Sequence, residues 1–150
     1  YSGDGINNDV YSYFGAHGRF DKNTAQFTCS NTERDLYTSI DSSIGNRTLT
    51  YPIGLITYDE LVFAGMDNKH INKLSWAYSS QNYWTMSPSR FYATLGYARE
   101  WFQNSDGNLT YGLNVARGLS TRPIINLKAN VKIIGGTGTV NDPFVIDTSK

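Results

Sequence analysis

The chain has 150 residues with 13 basic and 13 acidic side chains, so its formal net charge at neutral pH is zero. This length suits one domain with a single core. The charge balance argues against nucleic-acid binding and against contact of this fragment with an anionic membrane surface. Charged residues make up only 17% of the chain, and aromatic residues make up 14%.

The composition also indicates a compartment. Tyr, Ser, Thr, Asn and Gly are abundant, a balance common in secreted and cell-surface β-rich proteins, although Tyr and Thr favour strands in any compartment. The chain opens on Tyr1 rather than Met, and no apolar run approaches the roughly 18 residues that span a bilayer. We therefore expect residues 1–150 to be a single extracellular domain, excised from a longer chain.

Metal ligands and cysteines are sparse. Cys29 is the single cysteine, so it is either a buried small hydrophobe or has a partner outside the fragment. His17 and His70 have no second His or Cys at ligand spacing, so we expect no zinc site. The polar turn Asp4–Asp9 offers oxygen ligands for Ca²⁺ but lacks the EF-hand pattern. A solvated loop is the favoured interpretation there, and we expect no cofactor.

The first half of the chain predicts two short helices after an early strand or two over Val10–Phe20. Residues 30–33 (Ser-Asn-Thr-Glu) have the capping-box form, and the apolar spacing that follows predicts a helix over about 32–40. Residues 57–60 (Thr-Tyr-Asp-Glu) form a second capping box, followed by an apolar stretch and by Gly65 at a C-terminal cap position. This segment predicts a buried helix of about two turns.

The second half predicts strands. Trp76–Met86 is strand-like and aromatic, Ser87–Ser89 breaks it at a proline, and Phe91–Phe102 continues with aromatic residues. Asp106-Gly107 is a strong hairpin signal because its turn requires positive φ. Further hairpin signals follow in the segments Arg122–Leu127, Val131–Ile134, Gly135–Asp142 and Pro143–Ile146. The predicted fold class is α+β, with a twisted antiparallel sheet and two short helices.

Several segments together resemble a domain at the C-terminal end of uncharacterised extracellular proteins of Gram-positive, Firmicute-type bacteria, some with prepilin-type export signals. The matching segments are Leu49–Glu60, Ala64-Gly65, Gln81–Pro88, Ser105–Leu109, Thr121–Lys128, Gly135–Thr139 and Asp142–Ile146. This group is in turn similar in layout to the formylglycine-generating-enzyme branch of the C-type-lectin-like fold. The resemblance implies a cell-surface location and that fold.

The resemblance does not extend to the chemistry of those proteins. The formylglycine-generating enzyme uses cysteines, and the late strands here contain none. The Glu-Pro-Asn, Gln-Pro-Asp and Trp-Asn-Asp motifs of Ca²⁺-dependent lectins are absent, as is a Gly-x-Ser-x-Gly elbow. No acid, base and nucleophile converge in the sequence, so we expect a protein that is not an enzyme.

Three charged residues have a structural interpretation. Asp59 and Glu60 are adjacent in a first helical turn, where acidic side chains interact with free N–H groups and the helix dipole. As neighbours on a helix they would point about 100° apart, so they could not flank one bond. Arg122 precedes the strongest apolar strand, and we expect it to hold the carboxylate of Asp59 or Glu60.

The aromatic residues in the middle of the chain are the best binding candidates. Tyr and Trp dominate recognition surfaces because they offer large contact areas with few rotatable bonds. We expect Trp84 and Phe91 to be buried in the core. The expected ligand-binding residues are Tyr97, Trp101, Tyr78 and Trp76, with Tyr97 and Trp101 the most exposed.

The predicted function is therefore an adhesin-like, cell-surface or pilin-associated binding domain. Its partner would be a glycan, a host protein or a neighbouring surface subunit. The alternative is a structural subunit module of a pilus or surface fibre.

Overall fold

The computed structural model describes residues 12–13, 15–28, 37–38, 47–48, 50–51, 53–125, 127, 129–138 and 141–149. Three features of the sequence lie outside the described residues. These are the turn Asp4–Asp9, Cys29 and the first capping box over residues 30–33.

Two short helices and ten strands are assigned within the described residues. The helices are α1 (Gly15–Phe20) and α2 (Tyr58–Phe63). The strands are β1 (Ser12–Tyr13), β2 (Tyr37–Thr38), β3 (Arg47–Thr48), β4 (Ile53–Leu55), β5 (Tyr83–Tyr92), β6 (Tyr97–Gln103), β7 (Leu109–Asn114), β8 (Pro123–Ile125), β9 (Ile133–Gly135) and β10 (Val145–Ile146).

The main sheet has four strands in the order β1-β5-β6-β7, and every pairing in it is antiparallel. Two small antiparallel sheets pair β4 with β8 and β9 with β10, while β2 and β3 pair in parallel. The predicted α+β class, mostly antiparallel with two short helices, is confirmed. The C-type-lectin-like arrangement stays a prediction.

The second predicted helix is present with its predicted caps. The Thr57 hydroxyl accepts a hydrogen bond from the Glu60 amide at 3.1 Å, and the Glu60 carboxylate accepts from the Thr57 amide at 2.7 Å. Gly65 adopts a φ of +83°, which a residue without Cβ reaches at little cost. Local hydrogen bonds therefore determine both ends of α2.

The first predicted helix is wrong where it can be compared. Tyr37 and Thr38 form β2, and the rest of the 32–40 segment lies outside the described residues. The other helix is α1, within a segment predicted as strand. Its glycines give no helical pattern, but it packs Ala16 and Phe20 against the core. Tertiary packing therefore outweighs local propensity here.

The boundaries of β5 also differ from the prediction. Trp76–Asn82 forms turns and bends, and the strand begins at Tyr83 and continues through Ser87–Ser89. The pairing of β5 with β6 shifts register on both sides of Pro88. Because proline has no amide hydrogen to donate to the ladder, such an irregularity accommodates it without ending the strand.

Two of the predicted hairpins are present. Strands β6 and β7 are joined through Asp106-Gly107, where Gly107 has a φ of +96° and donates to the Asn104 carbonyl at 2.8 Å. Strands β9 and β10 also pair across the predicted turn. The intervening strand β8 pairs with β4, with Ile125 opposite Ile53, instead of with its neighbour in sequence.

Trp101 on β6 is at the centre of the core, with no exposed surface. Its ring centroid lies 4.6 Å from that of Tyr58 on α2 and 5.0 Å from that of Phe20 on α1. Tyr111 on β7 contributes a third ring at 5.2 Å. The predicted exposure of Trp101 is therefore wrong, because side-chain alternation along β6 directs it to the sheet face that the helices cover.

Asp59 pairs with Arg19, not with Arg122 as predicted. Arg19 donates from Nε to one Asp59 oxygen at 2.9 Å and from Nη2 to the other at 2.6 Å. The Gln26 amide donates to the same carboxylate at 2.8 Å. This bidentate pair joins α1 and the segment after it to the first turn of α2.

We expect Arg19→Met to lower the free energy of unfolding by about 2 kcal/mol, because it leaves the nearly buried Asp59 carboxylate without its cation. The magnitude stays modest since 24% of the Arg19 side chain is exposed. Chemical denaturation measures the change. Arg117→Met, at an exposed position, is the control and should cost less than about 0.5 kcal/mol. A double-mutant cycle with Asp59→Asn that gave no coupling would contradict the assigned ion pair.

Candidate functional site

The loop Trp76–Asn82 is held in one conformation by side chains from distant parts of the chain. Arg122 donates to the carbonyl of Ala77 at 2.6 Å and to that of Trp76 at 3.1 Å. The Tyr83 hydroxyl donates to the same Ala77 carbonyl at 2.5 Å. These hydrogen bonds join the main chain of the loop to β5 and to the residue before β8, which favours a pre-organised loop.

Gln103 supports the same loop from the end of β6. It is fully buried, and its side-chain carbonyl accepts from the Ser79 amide at 3.1 Å. Its side-chain nitrogen donates to the carbonyl of Asn104. A buried amide with both ends satisfied contributes rigidity at little desolvation cost. Arg122 and Gln103 therefore act together as supports for the loop.

An open cleft of about 560 Å³ lies beside this loop. It is lined by Gln81, Asn82, Ser105, Gly118, Leu119 and Ser120. These residues come from three connections: the end of the 76–82 loop, the β6–β7 turn and the loop between β7 and β8. The cleft is thus built from loops at one end of the main sheet.

Hydrogen bonds hold the walls of the cleft together. The Ser120 amide donates to the Asn82 carbonyl at 3.1 Å, and the Ser120 carbonyl accepts from the Trp84 amide at 3.1 Å. On the other wall, the Ser105 amide donates to the Asn82 side chain at 2.6 Å. The Ser120 hydroxyl donates to the Gln81 side chain at 2.9 Å. Asn82, itself in the first connection, therefore links it to the other two.

The lining determines what the cleft can do. Amides and hydroxyls each supply both donors and acceptors, and none of the six lining residues ionises near neutral pH. Such a surface can hydrogen-bond an uncharged polar molecule, but it supplies no general acid, base or charged nucleophile. The lining of the cleft is therefore polar and uncharged.

Two of the four predicted binding residues lie in the loop beside the cleft. Tyr78 is half-buried, and its hydroxyl donates to the Ser105 carbonyl at 3.3 Å. Trp76 is 64% exposed. Tyr97 lies at the opposite end of β6, while Trp101 is in the core. The structure therefore divides the predicted aromatic set among three places.

Several other sequence predictions can be compared with the structure. Trp84 and Phe91, expected to be buried, are only half-buried. Glu60 caps α2 as its position indicated. The polar residues that line the cleft were not predicted, because Gln, Asn and Ser between strands look alike whether they merely form turns or bind a ligand. No sequence signal distinguished them.

Two side chains outside the cleft have strongly shifted pKa values. Burial, followed by the charge of Arg90, lowers the pKa of His17 from 6.5 to about 4. Burial raises the pKa of Glu100 from 4.5 to about 7. His17 contacts the Trp101 ring, whereas alternation along β6 directs Glu100 to the other face of the sheet. The two groups therefore cannot act together on one substrate.

Within the described residues, no three His, Cys, Asp or Glu side chains come together as metal ligands would. The same part of the chain contains no helix that is long and apolar enough to cross a membrane.

Comparison of the chain with protein-family models, with curated proteins and with solved structures gives no match.

The two shifted groups give opposite pH dependences of stability. The unfolded chain protonates His17 near pH 6.5, so the contribution of His17 is present above pH 6.5 and is lost as the pH falls towards 4. The unfolded chain ionises Glu100 near pH 4.5, so its contribution is present below pH 4.5 and is lost as the pH rises towards 7. Between pH 4.5 and 6.5, His17 makes the stability rise with pH and Glu100 makes it fall with pH, so the two effects oppose each other.

We therefore expect each single variant to show the pH dependence of stability that the remaining group produces. Relative to wild type, the stability of His17→Asn should fall as the pH rises through this window, and that of Glu100→Gln should fall as the pH drops. Urea denaturation at half-unit pH steps measures both. Parallel pH profiles for wild type and both variants would show that neither pKa is shifted in the folded protein.

Proposed function

We propose that this chain is a non-enzymatic, extracellular binding domain whose loop cleft takes an uncharged polar ligand, best fitted by a glycan. The observation that carries the proposal is the lining of the cleft. It offers amide and hydroxyl groups from Gln81, Asn82, Ser105 and Ser120, with no ionisable side chain. Sugar hydroxyls both donate and accept hydrogen bonds, and so do these groups.

The rigidity of the cleft supports the same function. The loop bearing Gln81 and Asn82 is already fixed by Arg122, Tyr83 and Gln103. A ligand that enters a pre-organised site avoids the free-energy cost of ordering it. This matters for sugars, because each hydrogen bond that a sugar makes to the protein replaces one that it made to water. Each such exchange contributes little net free energy to binding.

Aromatic side chains of the same loop support a saccharide over other polar molecules. Trp76 exposes most of its side chain, and Tyr78 reaches the β6–β7 turn through its hydroxyl. Aromatic faces suit the pyranose ring, which has an apolar face of C–H groups and an edge of hydroxyls. Composition and the family resemblance support a cell-surface location for this binding.

A structural subunit is the second candidate, and a set of exposed apolar side chains favours it. Apolar side chains that are more than half exposed lie on and beside the two small antiparallel sheets. They are Tyr51, Ile53, Ile125, Leu127, Ile133, Ile134, Phe144 and Val145. Ile53 and Ile125 face each other across the β4–β8 ladder and form a side-by-side pair. A second copy of the chain packed on these strands would remove this apolar surface from water.

The cleft variant Gln81→Ala/Ser120→Ala tests the first candidate. We expect wild type to bind one or more neutral oligosaccharides on a glycan array, with the affinity confirmed by calorimetry. The double variant should weaken binding about tenfold, because two neutral hydrogen bonds at about 0.7 kcal/mol each are lost. Both positions are exposed, so the variant should stay folded.

Asn130→Ala, an exposed amide in another turn, is the matched control and should bind like wild type. Adding EDTA should change nothing, because no charged oxygen ligand lines the cleft. Absence of saturable binding to any neutral glycan by the folded wild type would overturn the glycan proposal.

Sedimentation at increasing protein concentration tests the second candidate. A structural subunit should associate above micromolar concentrations, and Ile53→Lys/Ile125→Lys should abolish the association because it places charges on the proposed contact. A domain that stays monomeric at all concentrations would contradict the subunit role and leave the glycan-binding role intact.

A further inference from the structure

The hydrogen bonds inside the cleft determine which of its polar atoms remain for a ligand. The Ser105 amide donates to the side-chain oxygen of Asn82 at 2.6 Å. A main-chain amide can only donate, so this bond fixes which way round the Asn82 side chain lies. The side-chain nitrogen of Asn82, with its two hydrogens, donates to no described residue. Because Asn82 is half-buried and lines the cleft, this nitrogen is left as a donor there.

Gln81 and Ser120 divide their polar groups in a similar way. The Ser120 hydroxyl donates to the side-chain oxygen of Gln81 at 2.9 Å. This bond uses the hydrogen of the hydroxyl and leaves its second lone pair as an acceptor. The side-chain nitrogen of Gln81 makes no hydrogen bond within the described residues, so its two hydrogens also remain. Both residues are exposed, and a ligand can therefore reach these groups.

Leu119 supplies the apolar side chain among the six residues that line the cleft. It is half-buried and lies between Gly118 and Ser120 in the chain. A Cβ added at Gly118 would meet no heavy atom within 4 Å apart from its chain neighbours. Open space and an apolar side chain therefore come directly before the Ser120 hydroxyl. A few polar groups beside apolar surface are typical of sites that bind small molecules.

We infer that the cleft binds an N-acetylated hexosamine through its acetamido group. The inference rests on the function proposed above and names the class of sugar that the same site takes. The acetamido carbonyl accepts hydrogen bonds from the side-chain nitrogens of Asn82 and Gln81, which are left without partners. The acetamido N–H donates to the Ser120 hydroxyl, and the methyl group packs on Leu119.

Other substituents of a sugar match the cleft less well. A hydroxyl also accepts a hydrogen bond from an amide nitrogen, but it has no methyl group to cover Leu119. A carboxylate is a strong acceptor, yet none of the six lining residues is charged. It would therefore lose hydration without gaining a partner of opposite charge. The acetamido group combines an uncharged acceptor, a donor and a small apolar surface.

Calorimetric titration with matched pairs of neutral sugars tests the inference. In the gluco series the pair is the N-acetylglucosamine trimer and cellotriose, and in the galacto series it is methyl N-acetylgalactosaminide and methyl galactoside. The members of each pair differ by an acetamido group or a hydroxyl at carbon 2. We expect at least one acetamido sugar to bind at least about tenfold more tightly than its hydroxyl partner. The deacetylated glucosamine trimer should bind no more tightly than cellotriose, because its ammonium group offers no acceptor.

Two variants test the donor and the apolar contact separately. Asn82→Asp keeps an oxygen for the Ser105 amide but removes the free donor, so it should weaken the acetamido sugar about tenfold. Asn130→Asp adds the same charge at an exposed position elsewhere and should change the affinity less than about twofold. Leu119→Ala should weaken the acetamido sugar several-fold and leave the affinity for its hydroxyl partner nearly unchanged. Leu95→Ala, at an exposed position in the β5–β6 turn, is the matched control and should change neither affinity.

Two results would overturn the inference and leave the glycan-binding function in place. One is binding of hydroxyl sugars as tight as that of their acetamido partners, and the other is equal weakening of both members of a pair by Leu119→Ala. If the folded wild type binds no neutral glycan at all, the inference fails together with the proposed function. Circular dichroism establishes that each variant is folded. If Asn82→Asp does not fold, the comparison of Leu119→Ala with Leu95→Ala decides the outcome.

Discussion

The rest of the structure depends on the burial of Trp101 between the main sheet and the two helices. Its ring meets Tyr58 of α2, Phe20 of α1 and Tyr111 of β7. A tryptophan buries a large apolar area, so the free energy gained by excluding this side chain from water fixes which face of β6 points inward. A slip of one residue would turn Trp101 away from the helices and move the half-buried Glu100 into the core, where its ionised form is still less favourable.

The register that buries Trp101 also determines the face on which every alternate residue of β6 lies. Tyr97 and Arg99 precede it on the same face, and Gln103 follows it. At one end, Gln103 holds the Ser79 amide and so positions the loop beside the neutral cleft. At the other end, Arg99 and Tyr97 lie opposite Arg90 and Tyr92 of β5. The loop beside the cleft is therefore positioned by a strand whose register the core determines.

The parts of the fold that the sequence predicts well are those held by local contacts. The capping box of α2 joins Thr57 to Glu60, only three positions later, and the β6–β7 hairpin depends on the positive φ of Gly107. Each of these signals is a short pattern with its own physical cause. They appear in the structure where the sequence places them.

The parts that the sequence predicts poorly depend on contacts between distant residues. Arg122 satisfies carbonyls 44 to 46 positions away, and Arg19 reaches Asp59 across 40 positions. Charge and position alone could not choose between these partners for Asp59. The polar residues near Trp101 favour an exposed position in the sequence, yet only Glu100 lies on the opposite face, while Gln103 shares the face of Trp101 and is buried with it. A single sequence gives strand alternation but not which face is covered.

The chemistry of the proposed binding cleft limits the kind of selectivity that it permits. A neutral cleft gains only the small difference between protein and water hydrogen bonds, so its selectivity comes from the shape of a loop that is rigid before binding. The register that buries Trp101 therefore also determines, through the buried Gln103, the loop shape on which the proposed selectivity depends.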